Sequence, residues 1–393
     1  MCLSAALLIL VAEWRRNGWP STRGDWALML YVVTALLTTI TSVDRAQTLT
    51  WLLALAGQIG IFAATVSVAR HNHAFTRFWL VTFVVAVCLL LLLATEYHAE
   101  VGFLTRPKLY PSPEGWTGYP QLGTLAALQF AVLAAVLVTE RRPLPLVCAT
   151  VLLVIGLVEL GLLYARGAWL AAGLGLIALP AVLSSWKQAR RVLVAATVVC
   201  LLTASAVAWN PMLRRLALGD TTADLNGYTL ELASPEMRFD LYRRSARMAR
   251  DYAMTGVGLG NFQRVFESVY NPEVNNDGRR GVHAHNLWLQ AYAELGVFGG
   301  TAFLVLWIVM LATAWRYARQ RQDLESIGVF TMLVVLAGTN LTTNMFFVPG
   351  LVGGRLHSIQ WILFGLVMAP VHHGRMTNTS GILESTVGGG EKR

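Results

Sequence analysis

Charged residues are scarce in this chain. Asp, Glu, Lys and Arg make up 13% of the 393 residues, whereas hydrophobic residues make up 55%, and the mean hydropathy is +0.53. Soluble globular domains carry about 25% charged residues. The composition therefore excludes an ordinary soluble domain and indicates a polytopic membrane protein.

Cysteine is also rare, and its placement excludes one class of fold. The four cysteines all lie within apolar runs: Cys2, Cys88, Cys148 and Cys200. Such thiols fit lipid-facing or buried positions better than a disulfide framework.

Long apolar runs, by contrast, recur along the chain. A transmembrane helix needs about 20 mostly apolar residues. Such runs lie near residues 26–42, 49–69, 78–95, 120–138, 144–164, 168–185, 192–209, 296–315, 326–344 and 355–370. An eleventh run at 1–12 is too short to span alone, and we interpret it as a clipped or tilted first helix. The sequence therefore predicts an all-α, polytopic bundle of about 11–12 transmembrane helices.

Basic residues in the connections predict the orientation. Arginine and lysine cluster in every second connection, which marks those connections as inside. The long insert 210–295 then lies outside, between an N-terminal transmembrane bundle (1–209) and C-terminal transmembrane helices (296–370). The polar, glycine-rich tail 371–393 is expected to be disordered inside the cell. Because most of the net charge of +9 belongs to inside loops, we expect no nucleic-acid partner.

The outside insert contains no lysine. It has ten arginines, nearly balanced by ten acidic residues. Arginine presents a planar fork that matches phosphate or carboxylate oxygens, so the insert is compatible with binding a phosphorylated ligand. The alternative is that these arginines are solvated or paired with nearby acids.

Within the insert, the sequence predicts one helix followed by a glycine-rich turn. Ser234 is a candidate N-cap and Pro235 a first helical residue. Three arginines fall on one face at helical spacing, namely Arg243, Arg247 and Arg250. Arg238 lies outside that row. The segment TGVGLGNF ends the helix, and its glycines could let N–H groups approach a ligand. A turn packed on the membrane surface is favoured over a nucleotide site, since no βαβ unit surrounds it.

Two polar residues stand out beside short outside turns. Arg166 ends one apolar run just before the next begins, so its guanidinium is predicted at the outer mouth of two helices; it could also be an ordinary interfacial arginine. Glu159 lies two turns earlier, at hydrocarbon depth, where a carboxylate is a functional or a structural pairing site.

The stretch GVHAHNLWLQAYAELG at 281–296 places polar groups at the edge of the bilayer. His285 and Asn286 are predicted to open a helix that packs through its apolar residues while Glu294 points elsewhere, and Gly296 breaks it. A histidine at the mouth of a bundle suits proton abstraction from a hydroxyl. Metal binding by His283 and His285 is less favoured, because their spacing differs from the i, i+4 pair of zinc hydrolases.

Three segments together resemble the O-antigen ligase and O-antigen polymerase family. They are ARGAWLA at 165–171, MRFDLYRRSARMARDYAMTGVGLGNF at 237–262 and AHNLWLQAYAELGVFGG at 284–300. The resemblance implies a GT-C-like glycosyltransferase of the bacterial inner membrane with a mainly helical periplasmic insert. Its donor would be undecaprenyl-diphosphate-linked O-antigen and its acceptor, in a ligase, a sugar hydroxyl of lipid A-core oligosaccharide. The family implies no metal and no other cofactor.

Roles follow for the matching residues. His285 is the candidate general base, and Arg166 and Arg238, which match the family's motif arginines, are the candidate diphosphate-binding residues. Inverting displacement is predicted, because no carboxylate pair is set up for a covalent intermediate. Further candidates, chosen by position, are Arg264, His283, Asn286 and Glu294.

Two alternatives remain at this point. One is a polymerase or a protein O-oligosaccharyltransferase that uses the same donor. The other is a transporter, which the sequence disfavours, since it shows few intramembrane charges and no evident inverted repeat.

Overall fold

A computed structural model of the chain describes residues 22–72, 74–102, 109–112, 115–163, 165–190, 192–194, 235–270, 283–342 and 353–369. The predicted first run at 1–12, the N-cap at Ser234 and the tail 371–393 lie outside these residues. The helices are α1 (Asp25–Thr41), α2 (Arg45–His71), α3 (Phe75–Val101), α4 (Tyr119–Thr139), α5 (Pro143–Leu162), α6 (Arg166–Val182), α7 (Pro235–Asp251), α8 (Phe262–Val265), α9 (Leu287–Arg321), α10 (Leu324–Thr339) and α11 (Gly353–Met368).

The predicted all-α polytopic class is confirmed. Among the residues that the structure describes, five helices are long and apolar enough to cross a membrane, namely α2, α3, α4, α5 and α9, and four shorter apolar helices accompany them. Side-chain caps begin several of them: Asp44 accepts from Gln47 N at α2, and Asp323 accepts from Ser326 N at α10. Pro143 and Pro235 stand at first helical positions, where the missing N–H costs nothing.

Two short elements were not predicted. A hairpin pairs β1 (Leu109–Ser112) with β2 (Gly115–Gly118) between α3 and α4, and a five-residue π-helix, Phe266–Tyr270, follows α8. The hairpin is too short for a recognisable alternation of apolar and polar residues.

The helices pack around α10. Helix α10 lies against α4 and α6, α11 packs on α2, α9 packs on α1, and the amphipathic α7 packs on α9. Aromatic rings fill the space near α9 and α11: Trp307 meets Trp288 and Phe364 edge-on, with ring centroids 5.6 and 5.0 Å apart.

The connections sort to two ends of the bundle. At one end, the α1–α2 turn meets the insert, since Val43 N donates to Val257 O (3.1 Å). At the other end, Arg319 donates to Ala181 O (3.0 Å) and Gln322 to Val182 O (2.6 Å). The α1–α2 turn thus shares an end with the insert, and the C-terminal ends of α6 and α9 meet at the other end.

The glycine-rich turn after α7 locks the insert onto the bundle. Gly256, Gly260 and Gly296 have φ angles of +64°, +82° and +68°, which only glycine adopts without strain. A Cβ atom at Gly256 would lie 2.2 Å from Glu294 O, and one at Gly260 would lie 2.0 Å from Trp51 Cδ1. Helix α9 is kinked at Gly296, so its first segment (287–295) can pack on this turn while the remainder (297–321) continues into the bundle.

We expect Gly260→Ala to lower the free energy of unfolding by about 2–4 kcal/mol, because the new methyl group meets Trp51 and the left-handed backbone is strained. Thermal unfolding in detergent measures the change. Gly173→Ala, in α6 with no atom within 4 Å of the new Cβ, is the matched control and should be neutral or slightly stabilising. Equal effects of the two substitutions would contradict this account.

Candidate active site

His285 has an unusual backbone conformation. Its φ of 48° lies in the left-handed region, which is uncommon for residues other than glycine, although asparagine, aspartate and histidine adopt it more often than the rest. Strained conformations of this kind persist only where the surrounding structure fixes them, and they cluster at functional sites.

The C-terminal end of α10 contacts the segment around His285. Leu287 N donates to Asn340 O (2.9 Å), and Asn286 Nδ2 donates to Leu341 O (3.3 Å). The Tyr242 hydroxyl of α7 lies within hydrogen-bonding distance of both Leu341 O (3.3 Å) and His285 O (3.2 Å). Helix α7 and the end of α10 thus both contact the peptide segment that carries the imidazole.

Asn286 has a structural role that explains its position. Its side-chain oxygen accepts from Leu289 N (3.1 Å) and so caps α9. The predicted helix start at His285 and Asn286 agrees with this cap. Asn286 therefore fixes the direction in which the chain enters α9.

Arg238 is close enough to His285 to change its acidity. Burial, the positive charge of Arg238 and the neighbouring His283 together lower the pKa of His285 to about 4. The imidazole is therefore neutral at neutral pH and can accept a proton. Burial also raises the pKa of Tyr242, which Arg238 partly opposes, so the guanidinium lies near both side chains.

Arg166 comes to the same end of α10. It is the first residue of α6, and a Cβ atom at the adjacent Gly167 would lie 2.1 Å from Thr342 Oγ1. Thr342 directly follows Leu341, which binds Tyr242 and Asn286. The structure thus brings the start of α6, the Arg238 helix and the His285 segment together around residues 340–342.

The further candidate Arg264 has its partner away from His285. Arg264 forms an ion pair with Asp44 of the α1–α2 turn, and its side chain remains 66% exposed. Asn261, near it in sequence, donates to Ser42 Oγ (3.0 Å) and Thr48 Oγ1 (2.9 Å). This cluster connects the insert to α1 and α2.

The expectation that Glu294 points away from the packed face is wrong. Glu294 is fully buried, and its carboxylate accepts from Gly260 N (2.8 Å) and Gln290 Nε2 (2.9 Å). The sequence did not show that a glycine-rich turn would cover this face of α9. Glu294 therefore joins that turn to α9.

N–H groups of the glycine-rich turn donate hydrogen bonds to α9. Val257 N donates to Ala293 O (3.1 Å) and Gly258 N to Glu294 O (2.9 Å), while Gly260 N binds the Glu294 carboxylate. The turn packs on α9, so these donors serve the fold; its predicted position on the membrane surface stays a prediction.

His283 and Glu159 each face a polar neighbour. Burial lowers the pKa of His283, and the nearby Glu267 partly opposes this shift. Glu159, at the outer end of α5, accepts a hydrogen bond from Thr95 of α3. The predicted pairing of Glu159 with an interior polar group is therefore present.

The sequence argument missed two residues of this site. Tyr242 follows Arg238 by four residues, so both lie on one face of a predicted helix, and that spacing was an available signal. Asn340 ends an apolar helix far away in sequence, and nothing local marked it. Within the residues that the structure describes, no group of three or more His, Cys, Asp or Glu side chains is placed to hold a metal ion.

We expect Arg238→Gln to raise the pKa of His285 above about 4, because loss of a nearby positive charge favours the imidazolium. Burial should still hold it below the ordinary value. NMR titration of ¹³C-labelled histidine in nanodiscs, with His285→Asn to assign the signal, measures the shift. Arg250→Gln, on the exposed side of α7, should leave the titration unchanged; a shift as large as that of Arg238→Gln would contradict the placement of Arg238.

Comparison with known proteins gives a match that covers part of this site. A family model described as O-antigen ligase matches residues 148–304, which include Arg166, Arg238 and His285. No curated protein matches the chain. The family match supports a membrane glycosyltransferase of the O-antigen ligase or polymerase type. Arg166, Arg238 and His285 thus lie within the segment that resembles the O-antigen ligase family, and the match supports an assignment to that family.

Proposed function

We propose that the protein transfers O-antigen glycan from undecaprenyl diphosphate to a sugar hydroxyl of lipid A-core oligosaccharide. The reaction takes place at the periplasmic face of the inner membrane, on the end of the bundle that carries the insert. The observation that carries the proposal is the convergence of His285, the Arg238 helix and the first residue of α6 on residues 340–342.

His285 acts as the general base. Its imidazole is neutral in the free protein, so it can take the proton of the acceptor hydroxyl as the oxygen attacks the anomeric carbon. The bond between that carbon and the diphosphate oxygen breaks, and undecaprenyl diphosphate leaves with the electron pair. Attack from the opposite face inverts the anomeric configuration.

Arg166 and Arg238 stabilise the leaving diphosphate. Guanidinium groups bind phosphate oxygens through paired hydrogen bonds, and fixed cations lower the energy of the charge that develops as the bond breaks. In this proposal they take the part that a divalent cation has in many glycosyltransferases, so the reaction proceeds without metal.

Donor binding also strengthens the base. Arg238 lowers the pKa of His285 in the free protein, and the negative diphosphate would offset that positive charge. The pKa of the imidazole should then rise towards its ordinary value in the donor complex, which makes His285 a better proton acceptor at neutral pH.

Purified protein reconstituted with lipid-linked glycan and lipid A-core should transfer glycan in the presence of EDTA. His285→Asn is the sharpest test of the base, because asparagine tolerates the left-handed backbone at this position. It should lower turnover by about 10²- to 10⁴-fold, with folding monitored by thermal unfolding. His285→Ala adds backbone strain, so a loss of activity in that variant alone would argue against a chemical role.

The acceptor is tested in cells. A ligase variant with His285→Asn should accumulate lipid-linked polymer and leave bare core lipopolysaccharide. Single repeat units on the core would instead indicate a polymerase, and an unchanged glycolipid profile would indicate transport or another substrate. Arg243→Gln, on the exposed face of α7, is the matched control and should resemble the wild type.

The acid limbs of the pH profiles of donor kcat/KM and of kcat should lie at different pH values. Activity needs neutral His285, so it falls as the pH drops through the pKa of the imidazole. The limb for donor kcat/KM reports the free protein and should lie near pH 4, whereas the limb for kcat reports the complex and should lie at higher pH. Coincident limbs would contradict the coupling between diphosphate and His285.

A further inference from the structure

Asn340 is the residue at the end of α10 that binds the start of α9 through its backbone. Its carbonyl oxygen accepts from Leu287 N (2.9 Å), two residues beyond His285. The following residue, Leu341, accepts from Asn286 and Tyr242. The backbone of Asn340 therefore belongs to the shell that fixes the His285 segment.

The side chain of Asn340 is not explained by these contacts. It is fully buried, yet neither Nδ2 nor Oδ1 has a hydrogen-bond partner among the described residues. Other buried amides there have at most one such unpartnered atom, as in Gln129, whose Oε1 has no partner while its Nε2 donates to Cys88 Sγ. A buried amide with both groups unmet lowers stability, and native structures keep such groups chiefly where a ligand or water completes them.

The missing partner must both donate and accept. The Nδ2 group donates and Oδ1 accepts. A diphosphate can only accept and would leave Oδ1 unmatched against negative charge. A sugar hydroxyl has one proton to give and lone pairs to receive, so it matches both halves of the amide.

We propose that Asn340 binds a hydroxyl of the acceptor sugar and orients it towards His285. The inference rests on the proposed function and adds to it a residue that recognises the acceptor. Both polar atoms of the amide are shielded from solvent in the free protein, so acceptor binding must open access to Asn340 before the pairing forms. A hydroxyl held there lies beside the backbone segment that positions the base.

Asn340→Leu tests the inference, because leucine is similar in size and has no polar atoms. If the amide serves the acceptor, the variant should melt at the same temperature as the wild type or higher, since an unmet buried amide is gone. Its kcat/KM for lipid A-core should fall by about 10- to 100-fold, while KM for the lipid-linked donor should stay the same. A structural role would instead lower the melting temperature along with activity.

A second variant and a control complete the experiment. Asn340→Ser keeps a donor and an acceptor and should retain more acceptor kcat/KM than Asn340→Leu. Gln129→Leu, at a buried amide of α4, should leave both KM values unchanged. Wild-type kinetics in Asn340→Leu, or a rise in donor KM, would overturn this inference alone. Absence of transfer by the wild-type protein would overturn the proposed function, and this inference with it.

Discussion

The carbonyl oxygens at the end of α10 organise the functional end of the molecule. The last four carbonyls of any helix lack partners within it. Here the two carbonyls that directly follow the last residue of α10, Asn340 O and Leu341 O, accept from the start of α9 and from Tyr242 of α7. A membrane helix cannot leave such groups unmet in an apolar setting without a large cost. The need to satisfy them joins the bundle to the insert and places the His285 segment between the two.

A second set of contacts fixes the position of α7. Glu294 binds Gly260 N and Gln290, and the turn that contains Gly256 and Gly260 packs directly on the kink of α9. Each unmet buried polar group costs about 1–3 kcal/mol, so the carboxylate and the turn are mutually dependent. Since α7 leads into this turn, the same contacts determine how far Arg238 lies from His285. Glu294 thus influences the electrostatics of His285 through the packing of α7.

Sequence reasoning predicted the helices closely, because apolar runs in a membrane protein must be helical and about as long as the bilayer is thick. The run expected at 120–138 is α4, Tyr119–Thr139. For the site, the sequence indicated candidate residues but not their arrangement in space. The burial of Glu294 depends on a turn 34 residues away in sequence, and Asn340 meets Leu287 only because α9 and α10 pack together. Such contacts between distant elements leave no local pattern in the sequence.

The electrostatics of the site favour one order of events in the proposed reaction. A base with pKa near 4 is weak, and a cation beside it keeps it weak. The same cation is the group that would bind the diphosphate, so one charge both attracts the donor and suppresses the base. Binding of the donor offsets that charge, so the pKa of His285 rises and the imidazole becomes a stronger base. The acceptor hydroxyl therefore meets a competent base only when the glycan to be transferred is in place. Deprotonation of the acceptor before the donor is bound could not lead to glycan transfer. This coupling therefore restricts proton abstraction to the complex that contains the donor.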